Sequence, residues 1–211
     1  MSFLIDLFLH LDTHLAAVIT QYGPWTYGLL FFVIFMETGF VVTPFLPGDS
    51  LIFAAGTFAA LGSMNLWLLL ILLMIASIVG NTANYWIGYY IGDEAKNIKW
   101  IKQDYLERTH AFFGKYGDKT VFLARFVPII RTFVPFVAGV GKMPFDYFSI
   151  YNVLGCVAWV ALFSFAGYFF GNISFVRDHF SLVVIGIIVV SLLPAVWEAW
   201  KARTEVKVEH A

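Results

Sequence analysis

The sequence has few charged residues and only one cysteine. Asp, Glu, Lys and Arg make up 13% of its 211 residues, well below the roughly 25% of soluble domains. Hydrophobic residues account for 60% of the chain, and the mean hydropathy is +0.80. This composition excludes an ordinary soluble domain and indicates an integral membrane protein. The single cysteine, Cys156, cannot form an intramolecular disulfide, and its apolar surroundings predict a packing role.

Signatures of common catalytic sites are also missing. The chain contains neither a His-Glu-x-x-His nor a Gly-x-Ser-x-Gly motif, and GVGKM at 139–143 lacks the other residues of a phosphate-binding loop. His10 and His14 are one helical turn apart, but no third zinc ligand is near them in the sequence. We therefore expect no enzymatic activity, no metal, no cofactor and no nucleic-acid partner.

Basic residues are absent from the first part of the chain. No Lys or Arg precedes Lys96, whereas residues 93–119 carry six of them. Because basic loops are retained in the cytoplasm, we expect 93–119 and the basic C-terminal tail to be cytoplasmic. The start of the chain lacks the features of a cleaved signal peptide. We expect residues 1–20 to remain as an amphipathic helix that crosses the membrane or lies at its surface.

Three apolar segments are long enough to cross a membrane. They are residues 66–92, 145–171 and 180–200, each at or above the roughly 20 residues that a spanning helix needs. Tryptophans near the inferred helix ends are expected to form aromatic belts at the membrane surfaces: Trp25, Trp67, Trp159, Trp197 and Trp200. The sequence therefore predicts a polytopic all-α membrane protein that ends in a transmembrane helix at 180–200.

Two further apolar regions, residues 25–62 and 120–140, are interrupted by proline and glycine. The interruptions are Pro44, Pro47 and Gly48 in the first region and Pro128 and Pro135 in the second. Such residues end or bend helices, and open backbone is tolerated at membrane depth only where it faces protein or water. We therefore predict two reentrant hairpins whose breaks face a cavity.

The two halves of the chain share short features in the same order. Tyr22-Gly23 matches Tyr116-Gly117, Ala55-Gly56 matches Ala138-Gly139, and GYYIG at 88–92 matches GYFFG at 167–171. With 93–119 in the cytoplasm, the first hairpin opens outward and the second opens inward. The sequence therefore predicts a single membrane domain built as an inverted repeat of residues 22–92 and 116–171, a design that places a transporter site near the midplane.

Four charged residues lie within these apolar regions. Glu37 and Asp49 belong to the first hairpin, and Arg125 and Arg131 belong to the second. A charged side chain at membrane depth is costly unless it is paired or hydrated, so such residues usually line the path of an ion or a substrate. Their formal charges sum to zero.

The two arginines are candidates for an anion site. Positions six apart point to different sides of a regular helix, but Pro128 between them removes a hydrogen bond and bends the chain. If the guanidinium groups converge, they suit a phosphate or a carboxylate. The alternative is that Arg125 and Arg131 only neutralise the two acids.

Each acid also has two interpretations. Glu37 has no basic residue near it in its own half of the chain, so we expect it to take up and release a proton. The alternative for Glu37 is a permanently neutral group that forms hydrogen bonds. Asp49 follows Pro47-Gly48 and can cap the second helix of its hairpin, with or without a role in proton transfer.

Three segments carry a resemblance to a known family. FMETGFVVTPFLPGDSLIFAAG at 35–56, FLARFVPIIRTFVPFVAGVGKM at 122–143 and IVGNTANYWIGYYIG at 78–92 are similar to the bacterial DedA family. The resemblance implies an inner-membrane protein with two opposed reentrant hairpins. Members of that family are implicated in returning undecaprenyl phosphate, the lipid carrier of cell-wall synthesis, across the membrane, and in physiology that depends on the proton motive force.

The resemblance also assigns roles to the charged residues. The functional acids of the family match Glu37 and Asp49, and its functional arginines match Arg125 and Arg131. The leading hypothesis is a polyprenyl-phosphate translocase, in which the arginines bind the headgroup and the acids compete for them or couple the step to protons. Polyprenyl-phosphate lipid, membrane lipids and protons are the expected partners, and the oligomeric state, a homo-oligomer included, stays open. The alternatives are a proton-coupled small-ion transporter, a general phospholipid scramblase, a lipid phosphatase and an assembly factor.

Overall fold

The structure is a computed structural model that describes residues 21–40, 48–91 and 117–171, together with Ile19, Phe113, Gly114, Ile173 and Gly186. Pro44 and Pro47 of the first predicted break lie outside the described residues. Most of the predicted N-terminal helix, basic segment and C-terminal helix, at 1–20, 93–119 and 180–200, also lies outside them.

All regular secondary structure in this part of the chain is helical. The α-helices are α1 (Trp25–Gly39), α2 (Gly48–Ala60), α3 (Leu66–Ile91), α4 (Thr120–Leu123), α5 (Pro128–Val140) and α6 (Phe145–Phe170). Two 3-10 turns, Gly117–Lys119 and Ala124–Phe126, stand on either side of α4. The all-helical class expected from the sequence is therefore confirmed for these residues.

Apart from the four-residue α4, the α-helices fall into two groups by length. α3 and α6 have 26 residues each, about 39 Å at 1.5 Å per residue, and both are apolar enough to cross a membrane. α1, α2 and α5 have 15, 13 and 13 residues, about 20–23 Å. They cannot reach across a hydrocarbon core of about 30 Å. A short helix packed beside α3 or α6 therefore covers only part of the length of the long helix.

The chain of the second predicted hairpin, residues 120–140, breaks between helices at Val127. This residue is extended, with φ −116° and ψ 103°, and α5 begins at Pro128, where a proline is tolerated because the first helical N–H has no acceptor. Pro135 was predicted as a second break, but it lies inside α5, so that prediction was wrong. Pro135 cannot donate to the carbonyl of Arg131 one turn earlier, and extensive packing of α5 on α3 holds the helix together around it.

Glycines allow α2 to pack closely on α6. A Cβ atom added at Gly56 would collide with the backbone carbonyl oxygen of Ser164, and one added at Gly167 would collide with that of Phe53. Any larger side chain at either glycine would push the two helices apart, so these glycines are needed for the close approach of the backbones.

α5 packs on α3 with the same arrangement of glycines. A Cβ atom at Gly139 would collide with the carbonyl oxygen of Tyr85, and one at Gly88 with that of Phe136. In all four helices, the residue whose carbonyl oxygen is approached lies three positions before the glycine. The short helices contribute Phe53 with Gly56 and Phe136 with Gly139, and the long helices contribute Ser164 with Gly167 and Tyr85 with Gly88. The two crossings therefore share one geometry, in which a short helix from one half of the chain lies on a long helix from the other half.

The long helix α3 has an apolar outer side, and the second half of its inner side carries buried polar residues. The outer side exposes large apolar side chains at one-turn intervals: Ile71, Ile75 and Val79. The inner side buries Ser77 and Asn84. This distribution suits a helix that is surrounded by lipid on one side and by protein on the other, because polar groups in a membrane face the protein interior.

Candidate functional site

Ends of three short helices meet around buried charges. Glu37 lies near the C-terminal end of α1, Asp49 in the first turn of α2, and Arg131 near the start of α5. Glu37 is only 4% exposed and Asp49 only 6%. Gly48 leaves the space that the Glu37 carboxylate occupies, because a Cβ atom at Gly48 would collide with that carboxylate. Gly48 therefore shapes the site as well as starting α2.

Arg131 bridges the two acids. Its Nη2 donates to Oε1 of Glu37 over 2.7 Å, and its Nη1 donates to Oδ1 of Asp49 over 2.5 Å. Arg131 therefore forms an ion pair with both carboxylates. Among the described residues, no three His, Cys, Asp or Glu side chains are grouped as metal ligands. Removing one partner of a buried ion pair strands a charge and costs about 3–5 kcal/mol. The cluster is therefore stable only when it is complete.

Trp159 contacts two members of this cluster, Asp49 and Arg131, and also Arg125. Its Nε1 donates to Oδ1 of Asp49 over 2.8 Å. The Cζ atoms of Arg125 and Arg131 lie 5.3 and 5.2 Å from the centroid of its ring, within the range of cation–π interactions. Trp159 is only 1% exposed, so its predicted place in an interfacial belt was wrong. It lies in the middle of α6, where a buried carboxylate accepts its N–H.

Arg125 is also buried, but its partners are neutral. It lies in the 3-10 turn Ala124–Phe126 and is 3% exposed. Its Nη2 donates to Oγ of Ser77 over 2.9 Å and to Sγ of Cys156 over 2.7 Å. No carboxylate from the described part of the chain lies within ion-pair distance of Arg125. The structure therefore brings the four predicted charged residues into one region and pairs only one of the two arginines with the acids.

Comparison with known proteins identifies the family. The VTT domain model matches residues 46–169, more than half of the chain. Protein DedA of Escherichia coli (strain K12) is 52% identical over 201 residues, which cover 93% of this chain and 92% of DedA. The chain belongs to the DedA family of VTT-domain membrane proteins. The matched range includes Asp49, Arg125 and Arg131 and begins after Glu37.

Two further DedA-family relatives are less similar in sequence. An uncharacterized membrane protein of Mycobacterium tuberculosis (strain ATCC 25618 / H37Rv) is 40% identical over 172 residues, 79% of this chain and 75% of its own length. The inner membrane protein YqjA of Escherichia coli (strain K12) is 30% identical over 149 residues, 69% of this chain and 68% of its own length. No solved structure matches the chain. None of these relatives is named as an enzyme, and the names that describe a location place it in a membrane.

Sequence reasoning missed the side chains that support the charges of this DedA-family site. They form two rows on facing sides of α3 and α6: Ser77, Asn81 and Asn84, and Asn152, Cys156 and Trp159. Nδ2 of Asn81 donates to Oδ1 of Asn152 over 2.6 Å, and Oγ of Ser77 donates to Sγ of Cys156 over 3.2 Å. Both rows have the spacing i, i+4, i+7, which places the members of each row on one face of its helix. That periodicity was the available signal, and Cys156 has polar contacts beyond the predicted packing role.

Asn84 joins the two halves of the protein beside the ion pair. Its Nδ2 donates to the carbonyl oxygens of Thr38 and Thr132 over 3.3 and 2.9 Å, and these residues directly follow Glu37 and Arg131. Asn84 therefore holds α1 and α5 in the register at which the glutamate meets the arginine. Oδ1 of Asn84 and Oε2 of Glu37 are buried without a hydrogen-bond partner in the described structure, so each can accept a further donor.

Substitution of Trp159 separates its two contributions. Trp159→Phe keeps a ring beside the guanidinium groups but removes the N–H donor to Asp49, so we expect it to lower the free energy of unfolding by about 1.5–3 kcal/mol. Trp159→Leu removes the aromatic ring as well and is expected to cost more, about 3–5 kcal/mol. Thermal unfolding of the purified protein in detergent measures both effects. Trp67→Phe, at a position 68% exposed, is the matched control, and a Trp159→Phe protein as stable as this control would contradict the expectation.

Proposed function

We propose that this protein moves a polyprenyl phosphate, undecaprenyl phosphate, across the bacterial inner membrane. The supporting observation is the unequal neutralisation of the two guanidinium groups: Arg131 is held by Glu37 and Asp49, whereas the buried Arg125 has neutral partners among the described residues. A phosphate headgroup offers several charged acceptor oxygens, which guanidinium groups bind strongly. The arginines thus favour the phosphate, and the resemblance of the sequence to the DedA family suggests the polyprenyl chain.

The proposed route lies between two opposed reentrant hairpins, at residues 25–62 and 120–140, that are related as an inverted repeat. The protein would be multi-pass, with residues 93–119 and the C-terminus in the cytoplasm. Two observations support the hairpins and the repeat: α1, α2 and α5 are too short to span, and the α2–α6 and α3–α5 crossings have the same glycine spacing. In an inverted-repeat transporter, the site between the broken helices opens to each side in turn.

The starts of α2 and α5 add to the attraction for an anion. The N-terminal end of a helix carries a partial positive charge of about half an elementary charge. Asp49 lies in the first turn of α2 and contacts Arg131 near the start of α5, so these two helix ends are close together. A phosphate bound there would be favoured by both helix ends as well as by the arginines.

An exchange of partners gives a transport cycle. In the empty site, Arg131 binds Glu37 and Asp49, and an arriving phosphate competes for its guanidinium group. The displaced carboxylates take up protons, because a buried unpaired carboxylate is costly. Release of the headgroup on the other side returns Arg131 to the acids, which then lose their protons. Proton uptake on one side and release on the other would couple lipid movement to the proton motive force.

Reconstitution tests the proposed function. Protein in liposomes should move polyprenyl phosphate from one leaflet to the other several times faster than protein-free liposomes, and a pH gradient should change that rate. Arg125→Gln and Arg131→Gln should each abolish the movement, since each removes a cation that binds the headgroup. The matched control is Lys119→Gln, which removes a positive charge from an exposed turn and should retain the native rate.

Two outcomes would replace this proposal by another function. Movement of zwitterionic phospholipids at the same rate, without any response to the pH gradient, would assign the protein as a general scramblase. Release of inorganic phosphate from the polyprenyl phosphate would assign it as a phosphatase. The assay therefore includes a phosphatidylcholine probe and a measurement of free phosphate alongside the polyprenyl lipid.

A further inference from the structure

We propose that Arg125 is the docking arginine of this site and that Ser77 and Cys156 are its resting partners, which a phosphate headgroup displaces. The inference rests on the proposed function and gives the two arginines different tasks. Arg125 binds the arriving headgroup first. Arg131 stays with the two acids until the headgroup has docked, and so acts as a latch on the site.

The resting partners of Arg125 are uncharged acceptors. Oγ of Ser77 and Sγ of Cys156 both accept from the same Nη2 atom of Arg125, over 2.9 and 2.7 Å. A hydroxyl and a thiol carry no formal charge, and sulfur is a weak acceptor. A phosphate is a charged acceptor, so it adds the attraction of an ion pair to its hydrogen bonds with the guanidinium group, which neutral acceptors cannot supply. A phosphate therefore competes with these partners more easily than it competes with the two carboxylates that hold Arg131.

Arg125 also lies where the two halves of the protein meet. Ser77 precedes Gly88 by as many positions as Cys156 precedes Gly167, and these glycines have the same place in the two helix crossings. Ser77 and Cys156 are thus equivalent positions, and they touch each other, with Oγ and Sγ 3.2 Å apart. Equivalent positions in contact lie at the axis that relates the two halves. A headgroup on Arg125 is therefore equally placed with respect to both sides of the membrane.

The native sequence allows this contact to be measured. Cys156 is the only cysteine of the chain, and its Sγ touches the Arg125 guanidinium. Cys156 is fully buried, so N-ethylmaleimide reaches it when the site opens, and a headgroup docked on Arg125 lies against the thiol and blocks that access. For the full-length protein in liposomes, we expect polyprenyl phosphate to slow the alkylation of Cys156 several-fold, and the same concentration of phosphatidylcholine to leave the rate unchanged.

Variants separate the docking task from the latch. Arg125→Gln should abolish the protection by polyprenyl phosphate. The triple variant Glu37→Gln, Asp49→Asn, Arg131→Gln removes the latch without stranding a charge, and it should keep the protection although it no longer transports. Lys119→Gln should behave as the native protein. Protection that survives in Arg125→Gln but is lost in the triple variant would overturn the assignment.

Binding measurements provide the second test and decide the matter if the thiol reacts in neither state. Arg125→Gln should raise the Kd for polyprenyl phosphate by about tenfold or more, and the triple variant should raise it by a smaller factor, because Arg131 gains the phosphate only by giving up its two carboxylates. Ser77→Ala should lower the Kd, because one competing acceptor is gone. A higher Kd for Ser77→Ala would mean that Ser77 only positions Arg125, and would overturn its role as a displaced partner.

The inference and the proposed function can fail separately. A native protein that transports polyprenyl phosphate, but shows neither protection of Cys156 nor weaker binding in Arg125→Gln, overturns the inference and leaves the function intact. A native protein that shows the protection but does not move the lipid overturns the function and leaves Arg125 as the residue that binds the phosphate.

Discussion

Arg131→Ala should abolish lipid transport and destabilise the protein by about 3–5 kcal/mol. The substitution leaves Glu37 and Asp49, which are 4% and 6% exposed, in one buried site without the cation that contacts both. The carboxylates must then repel each other or take up protons, and either outcome disfavours the native arrangement of α1, α2 and α5. For a protein of this size, the melting temperature in detergent should fall by about 6–20 °C.

A compensated variant shows whether the loss is one of charge balance or of chemistry. Arg131→Met combined with Glu37→Gln and Asp49→Asn removes the whole ion cluster and leaves no unpaired charge, so much of the lost stability should return, because the main cost of breaking a buried ion pair is the charge left without a partner. Transport should stay absent, because the exchangeable cation and the acids are gone. A stable Arg131→Ala single variant, or a triple variant that transports, would contradict the assigned role of the cluster.

The location of the charged site could be predicted from the sequence because its charged residues lie in segments that are otherwise apolar. Burial forces such groups to find partners, so Glu37, Asp49 and Arg131 were expected in one place, and the structure brings them together. Which arginine pairs with the acids was not predictable. It depends on the extended residue Val127, which separates the turn that carries Arg125 from the helix that carries Arg131.

The neutral side chains of the site were harder to predict because such residues are common in apolar membrane helices. A tryptophan in a membrane helix is commonly an interfacial residue, and a lone cysteine commonly packs as a small apolar group. Neither residue follows its common pattern. Trp159 donates a hydrogen bond to Asp49, and Cys156 accepts one from Arg125. The sequence shows that Asn152, Cys156 and Trp159 lie on one face of α6. It does not show that this face packs against the polar residues of α3, and that packing identifies the row as part of the site.

The interior proline shows the opposite limit of sequence reasoning. Pro135 was expected to break the second hairpin, yet α5 runs through it to Val140. A proline removes one hydrogen bond from a helix, and packing on a neighbouring helix can outweigh that loss. Gly139 brings α5 close enough to the backbone of Tyr85 for such packing. Local sequence predicts where a helix is weak, but tertiary contacts decide whether it breaks.

Gly88→Leu and Gly167→Leu should each prevent assembly of the native fold, with little or no monodisperse protein recovered. At both positions even a Cβ atom would collide with a backbone carbonyl oxygen of the crossing helix, from Phe136 and Phe53 respectively. Gly→Ala at either position should destabilise the protein by about 1–3 kcal/mol, because a well-packed interior resists added volume. Thermal unfolding and gel filtration in detergent measure the two effects. Gly28 offers the control, since a Cβ atom there meets no described atom within 4 Å.

The equality of the two effects is what tests the repeat. If the α3–α5 and α2–α6 crossings are equivalent halves of one design, Gly88→Ala and Gly167→Ala should lower the free energy of unfolding by similar amounts, both within the range of about 1–3 kcal/mol. Gly28→Ala should be neutral or slightly stabilising, because alanine favours a helix. A protein that tolerated the change at Gly88 but not at Gly167 would lack the proposed equivalence. The argument that places Ser77 and Cys156 on a shared axis would then fail with it, whereas the ion pairs of Arg131 would be unaffected.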